Sequence, residues 1–354
     1  MMSGTLKKVC VSVMPVLSCT MIMGAVVSAR AADLTVVGWG GTTQAAHKVA
    51  YFDPFTKETG VKIVEDEWNG EMAKIRGMVE TGDVTWDVVQ VEAPEAFAGC
   101  EEGLFEPLDW SKITDPKNLV DGAAAECGAG ILLWSTVFAY DADVIKDGPK
   151  TWAEFWDVKK WPGKRGMRRG AKMTLEIALM ADGVPRSEVY KTLETKKGVD
   201  RAFKKLDELK SHIVWWKAGA EPQQRLAAGD VVMSMAYNAW VTRINQEEKR
   251  NFKIVWDGNN YSMDYWTIVK GSRHKADALK FLALSMRPER QAVFFNRIAY
   301  GWTAKGTGKF IKPEMLSKLP TAEGHLDNAL MTNVEFWLEN GESLEQRFQA
   351  WISK

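Results

Sequence analysis

The chain has 354 residues, 46 basic and 46 acidic, with 26% charged and 46% hydrophobic side chains. That balance excludes a disordered chain and a generally basic nucleic-acid binder, so no nucleic-acid partner is expected. At roughly 100 to 200 residues per domain the length suggests two domains, and four His with four Cys are too few for a multi-metal protein.

Lys7 and Lys8 precede an apolar stretch from Val9 to Val27, and Ala29-Arg30-Ala31 then offers small residues where a signal peptidase reads. The pattern predicts a cleaved secretory signal over residues 1–31 and an exported mature chain. A membrane anchor competes on length, but Ser12, Pro15, Ser18 and Thr20 interrupt the stretch. Lipid attachment at Cys19 is disfavoured, because apolar residues continue from Met21 to Val27. Removing 1–31 takes away three basic and no acidic groups, which leaves 43 against 46 and a net charge near −3. Cys100 and Cys127 stay behind and, in an exported protein, are expected to form a disulfide. Closing that loop would stabilise the fold by about 3 to 4 kcal/mol in the chain-entropy model. Two free thiols in a reducing compartment are the alternative.

From Asp33 onward short β-rich runs alternate with helix-like segments. Leu34 to Val37 reads as a strand running into Gly38-Trp39-Gly40-Gly41-Thr42-Thr43. A helix is predicted over 44–59 with Gly60 as its C-terminal cap, then a strand over 61–64, a helix over 72–80 and a strand over 86–91. Strand, helix, strand in this order implies parallel pairing through right-handed crossovers. A second α/β block follows, with a helix starting at 153–156, a short basic strand at 164–168, helices at 175–180 and 191–209, and strands at 214–216, 231–236 and 254–256. Helices at 276–286, 289–298 and 342–351 close the chain. Without a low-complexity linker, two lobes joined by strands are expected, with the ligand site between them.

Catalytic signatures are missing: no G-x-S-x-G, H-E-x-x-H, P-loop or C-x-x-C occurs. Gly38-Trp39-Gly40-Gly41 fails the dinucleotide spacing at Thr43, so no cofactor and no metal is expected. His47, His212, His274 and His325 are far apart and are expected at the surface or at helix ends. Sixteen Trp stand out; most must be core. Trp39, Tyr237, Tyr261, Tyr265, Tyr300 and Trp302 sit at strand ends or in turns, where a side chain can face a cleft, with the carboxylates Glu92 and Asp264 in similar places. Aromatic rings with acidic groups beside them suit an amine cation.

Several segments resemble the periplasmic spermidine/putrescine-binding proteins of ABC transporters, within the extracellular solute-binding proteins. They are Leu34 to Trp39 with Gly40-Gly41-Thr42, Phe55 to Ile63, Trp86 to Val89, Gly229-Asp230-Val231 to Tyr237-Asn238, Met263-Asp264, and Arg287-Pro288-Glu289 through Tyr300. The resemblance implies an α/β, two-lobed periplasmic binding protein fold whose discontinuous lobes, 32–139 with 265–306 and 140–264 with 307–354, are joined by hinge strands around an interlobe cleft. It implies a non-enzymatic receptor, expected as a monomer in the periplasm, that hands a small amine to permease subunits in the inner membrane. Trp39, Gly41, Thr42, Glu176, Tyr237, Asp264 and Tyr300 are the ligand-binding residues it suggests, and Glu92 joins them from its own place after the third strand.

Departures bear on the ligand. Ser262 stands before Met263-Asp264 where polyamine binders carry an aromatic, and Glu92-Ala93-Pro94 replaces a Ser and a Tyr. The leading expectation is a polyamine, putrescine or spermidine. The alternative is a zwitterion such as γ-aminobutyrate or an opine, with Arg168 or Arg169 pairing its carboxylate bidentately, against the plainer reading of two surface arginines. A periplasmic enzyme using Glu92 and Glu176 as acid and base lacks a placed nucleophile.

Overall fold

The structure, a computed structural model, describes Met1, Met2 and residues 33–354. The predicted signal segment therefore lies, beyond its first two residues, outside the described residues.

Nine strands form one sheet: β1 (Leu34–Gly38), β2 (Ile63–Glu67), β3 (Val88–Glu92), β4 (Gly128–Asp141), β5 (Arg165–Arg168), β6 (Ile213–Trp216), β7 (Met233–Tyr237), β8 (Phe252–Ile268) and β9 (Leu330–Met331). Their order is β2-β1-β3-β8-β4-β7-β5-β6, with β9 pairing β8 off this path. β1 pairs in parallel with β2 and β3, and β5 with β6 and β7, as strand–helix–strand units dictate. β4 and β8, of 14 and 17 residues, run antiparallel to each other and join the two parallel sets through β8 on β3 and β4 on β7. At about 3.3 Å per residue each is long enough, at roughly 46 Å or more, to serve both halves of the fold.

Two main apolar cores result. One gathers Leu34 through Leu133 with Met263 through Leu319, the other Phe138 through Met235 with Leu330 through Phe348. Residues 307–319, expected in the second lobe, contribute Ile311, Met315 and Leu319 to the first core. The chain is thus an α/β protein of two lobes spanned by long strands, with helices packed on the sheet.

Several elements differ from their predicted outlines for local reasons. The 44–59 helix begins at Gly41 and carries a π turn at Lys48–Phe52, just before Pro54, which has no N–H to give the helical ladder. Gly60, at φ 76°, caps it by donating to the Thr56 carbonyl. The long helix expected over 191–209 is two, Val189–Leu193 and Lys196–Leu209, because the Thr195 hydroxyl accepts from the Gly198 N–H and starts the second. β8 is far longer than the strand expected at 254–256. Its Asp257-Gly258-Asn259-Asn260 reads as a turn, yet both asparagines are buried and bonded. Asn259 accepts from Ser135 Oγ and donates to the carbonyls of Trp256 and His325, while Asn260 accepts from Thr332 Oγ1. His47 is not at the surface: it is 1% exposed, 4.6 Å from the Phe294 ring and 5.0 Å from Trp266. Burial holds its imidazole at about 3, so it stays neutral.

Candidate functional site

The strands of each parallel set end towards a common cleft of about 400 Å³. Trp39 follows the end of β1 and Glu92 ends β3; from the other lobe come Arg168, which ends β5, and Tyr237, which ends β7. Binding at the carboxyl ends of parallel strands is the general habit of such sheets. The crossing strands supply the floor. Glu92 on β3 and Leu132 on β4 are both in register with Asp264 on β8. Gln90, Glu92, Leu132 and Trp134 share its face by two-residue alternation, and all line the cleft. The next residue of β8, Tyr265, turns to the other side, where it is buried and donates to the Gly122 carbonyl.

Asp264 is buried beneath a cage of donors. Trp39 Nε1 and Gln90 Nε2 donate to Oδ2 at 3.1 and 2.8 Å, and Trp134 Nε1 donates to Oδ1 at 3.1 Å. Desolvation and the nearby Glu92 charge outweigh these donors and push the carboxyl up to about 8. Glu92 is also raised, first by burial and then by Glu95, while Lys172 and Arg168 pull it down. Lys172 joins Arg168 in the cleft wall. The cavity therefore holds two carboxyl groups that burial and their mutual proximity make harder to ionise, and a guanidinium and an ammonium line it with them.

Aromatic packing holds these groups in place. The Trp39 ring stacks on Trp68 at 5.2 Å, and Trp68 Nε1 donates to the Gln90 carbonyl. Trp134 meets Tyr237 edge-on at 5.7 Å, and Tyr237 packs edge-on against Trp216 at 5.9 Å. Gly40 sets the turn that delivers Trp39: it has φ 72°, and a Cβ there would lie 2.4 Å from the Glu67 carboxylate. Across the cleft, Met173 lies at φ 70°, a left-handed conformation uncommon for a side-chain-bearing residue, and its sulfur accepts from Thr136 Oγ1.

Of the residues expected at the site, Trp39, Glu92, Tyr237, Asp264 and Tyr300 line this cavity together. Thr42 lines an adjoining chamber, and Gly41 lies in the first helical turn without lining either. Glu176 is elsewhere: fully buried in the second lobe, it accepts from Tyr190 Oη and Trp337 Nε1 at 3.1 and 2.7 Å. Its position on the helix Thr174–Ala181, just after the cleft residue Met173, makes it adjacent in sequence but not part of the lining. Gln90, Trp134, Lys172 and Trp240 are cleft residues that sequence reasoning passed over. A polar Gln inside the apolar run Val88-Val89-Gln90-Val91 was the available signal for the first; Trp134 had none apart from its register on β4.

Cys100 and Cys127 are joined, Cα atoms 5.6 Å apart, and the bridge ties the helix that follows Glu92 to the start of β4. With Glu126 these sulfurs make the one group of metal-type side chains among the described residues, and the disulfide removes the thiolates such a site would need. Among the described residues no helix is long and apolar enough to cross a membrane.

A model of the bacterial extracellular solute-binding protein family matches residues 50–309. A gamma-aminobutyric acid-binding protein of Pseudomonas aeruginosa is 49% identical over 93% of this chain and 94% of its own. A spermidine/putrescine-binding periplasmic protein of Salmonella typhimurium is 23% identical over 74% of this chain and 76% of its own. Among solved structures, a GABA receptor superposes with a TM-score of 0.80 at 32% identity, covering 91% of this chain and 98% of that one.

Proposed function

The chain belongs to the bacterial extracellular solute-binding proteins, and within that family we propose that it captures a small ω-amino acid, γ-aminobutyrate or a close analogue, in the periplasm and delivers it to the permease of an ABC importer. The observation that carries this reading is the pairing of opposite charges in one cleft. Asp264 and Glu92 stand at one wall, and Arg168 and Lys172 at the other. A zwitterion satisfies both walls at once, its ammonium on the acid pair and its carboxylate on the guanidinium. A diamine would bring a second cation into a site that already holds two. Polyamine binding, the leading expectation from sequence, thus gives way to the zwitterion alternative, and the 49% relative points the same way against a polyamine relative at 23%. Arg168, read from sequence as more plainly a surface residue, is half-buried in the cleft wall.

Micromolar affinity needs about 8 kcal/mol net. Charge-assisted hydrogen bonds at roughly 1.5 to 3 kcal/mol each, made at both ends of the ligand, come within reach of it once the methylenes are covered by Trp39, Trp134 and Tyr237. A thermal-shift panel tests the reading. γ-Aminobutyrate should stabilise the protein and putrescine should not, and Arg168→Ala should weaken γ-aminobutyrate binding at least tenfold. Stabilisation by putrescine alone would overturn it.

A further inference from the structure

The side-chain amide of Gln90 stands between the Asp264 carboxyl and a second amide behind it. Its Nε2 donates to Asp264 Oδ2 at 2.8 Å, while its Oε1, fully buried, has no hydrogen-bond partner among the described residues. Gln44, on the helix Gly41–His47, is 6% exposed; its Nε2 reaches the Asp66 carbonyl at 3.4 Å, and its Oε1 is likewise buried and unpartnered. Both oxygens converge over Gly38, the last residue of β1. A Cβ there would fall on Gln44 Oε1 and lie 3.4 Å from Gln90 Oε1, so the absence of a side chain at this position is what lets the two amides approach.

Two buried acceptors turned towards one bare spot, with no donor for either, are costly. A half-turn of the Gln90 amide removes the conflict, because it exchanges the donor and acceptor corners of the group. Nε2 then donates to Gln44 Oε1, and Oε1 faces Asp264 Oδ2. That second setting works only when Oδ2 carries a proton to donate. The bonds from Trp39 to Oδ2 and from Trp134 to Oδ1 stay as they are.

Other titratable groups around Asp264 are Glu92, opposite it on β3, Tyr300 in the cleft wall, and the neighbouring Tyr265 on the far face, with Arg168 and Lys172 acting on Glu92. His47, one turn along the helix from Gln44, is buried and neutral. None of these side chains hydrogen-bonds to either glutamine amide among the described residues. The pair is therefore a separate lever on the carboxyl.

We propose that Gln90 is a two-position amide whose orientation follows the proton on Asp264, and that Gln44 is the positioning residue that favours the protonated setting. Carbon-13 NMR titration of the Asp264 carboxyl in the ligand-free protein tests it, on the wild type, Gln44→Met, Gln90→Met and the double variant. Gln44→Met should lower the Asp264 midpoint by roughly half a unit to one unit. On the Gln90→Met background the same change should add nothing, since the relay is already cut. The effect on affinity rests on the ω-amino acid reading above. Gln44→Met should bind γ-aminobutyrate roughly two- to fivefold tighter at pH 7 and within about twofold of the wild type at pH 9, whereas lost packing would weaken binding at both. An unchanged or raised midpoint in Gln44→Met overturns the relay and leaves the ligand assignment standing. A lowered midpoint in a protein that binds no ω-amino acid sinks the ligand assignment and supports the relay. Should Gln44→Met fail to fold, the wild type decides: cross-relaxation between the Gln90 amide protons and the Gln44 side chain should be stronger below the Asp264 midpoint than above it, and a constant signal overturns the proposal.

Discussion

Asp264 shows how one residue's environment, rather than its type, sets its work. Buried with three N–H donors and a second acid alongside, it reaches about 8, so at neutral pH the Asp264–Glu92 pair holds a proton. On the proposed reading, the ammonium of the ligand displaces that proton. Affinity should therefore rise with pH, by up to about tenfold per unit, until the pair is ionised near the raised value. Titration at pH 7 in two buffers of different ionisation heat should show close to one proton released. Asp264→Ala should abolish the release and weaken binding at least tenfold; heats that do not depend on the buffer would count against the assignment. Glu176 presents the same chemistry without a ligand. Burial raises it from 4.5 to about 7, so the folded state prefers the protonated form. That preference is fully present below the unfolded value and is lost as pH rises through 7. Glu176→Gln should remove this loss, with a stability gain over the wild type that grows between pH 5 and 8 to at most about 3 kcal/mol, read from urea unfolding at each pH.

At the scale of elements, the crossing strands are what make a site of separate residues. β8 carries Asp264 in its second half, β3 brings Glu92 and Gln90 alongside, and β4 brings Leu132 and Trp134. A one-residue slip in any of them would turn these side chains to the opposite face. Irregularities in the β4–β8 ladder at Gly130/Leu132 and Thr136/Phe138 flank Trp134 and the segment where β4 passes from one core to the other. The Cys100–Cys127 bridge clamps this arrangement from one side by tying the helix Ala93–Glu101 to the residue just before β4. Replacing both cysteines with serine should lower stability by about 3 kcal/mol and reduce the melting temperature under otherwise equal conditions. An unchanged unfolding midpoint would mean that the two segments are held by packing alone.

At the scale of the whole molecule, the cleft draws its walls from both lobes, so a ligand that meets Asp264 from one and Arg168 from the other binds the two together. Ligand binding should therefore stabilise the whole chain by mass action, by about 2.7 kcal/mol at a hundredfold excess over Kd, and should draw the lobes together. Small-angle scattering with and without γ-aminobutyrate should show a smaller radius of gyration in its presence. The same radius in both states would leave binding intact but remove closure from the mechanism.

Read by itself, the sequence determined the α/β alternation, the parallel pairing of the short apolar strands, the pairing of Cys100 with Cys127, and the approach of Trp39, Glu92, Tyr237, Asp264 and Tyr300 to a cleft. Each of these is written in local pattern: apolar runs, Gly-rich turns after strands, and side-chain type at strand ends. Tertiary structure decided the rest. The long strand β8 was hidden because Asn259 and Asn260 belong to a buried strand only where Ser135 and Thr332 donate to their side-chain oxygens. His47 and Glu176 were misplaced because burial is a property of the neighbours and not of the residue. The proposal of a zwitterionic ligand rests on Arg168 and Lys172, which lie far along the chain from Asp264. Which charges face one another across a cleft is settled by how strands from two lobes are brought side by side, and no local spacing records that.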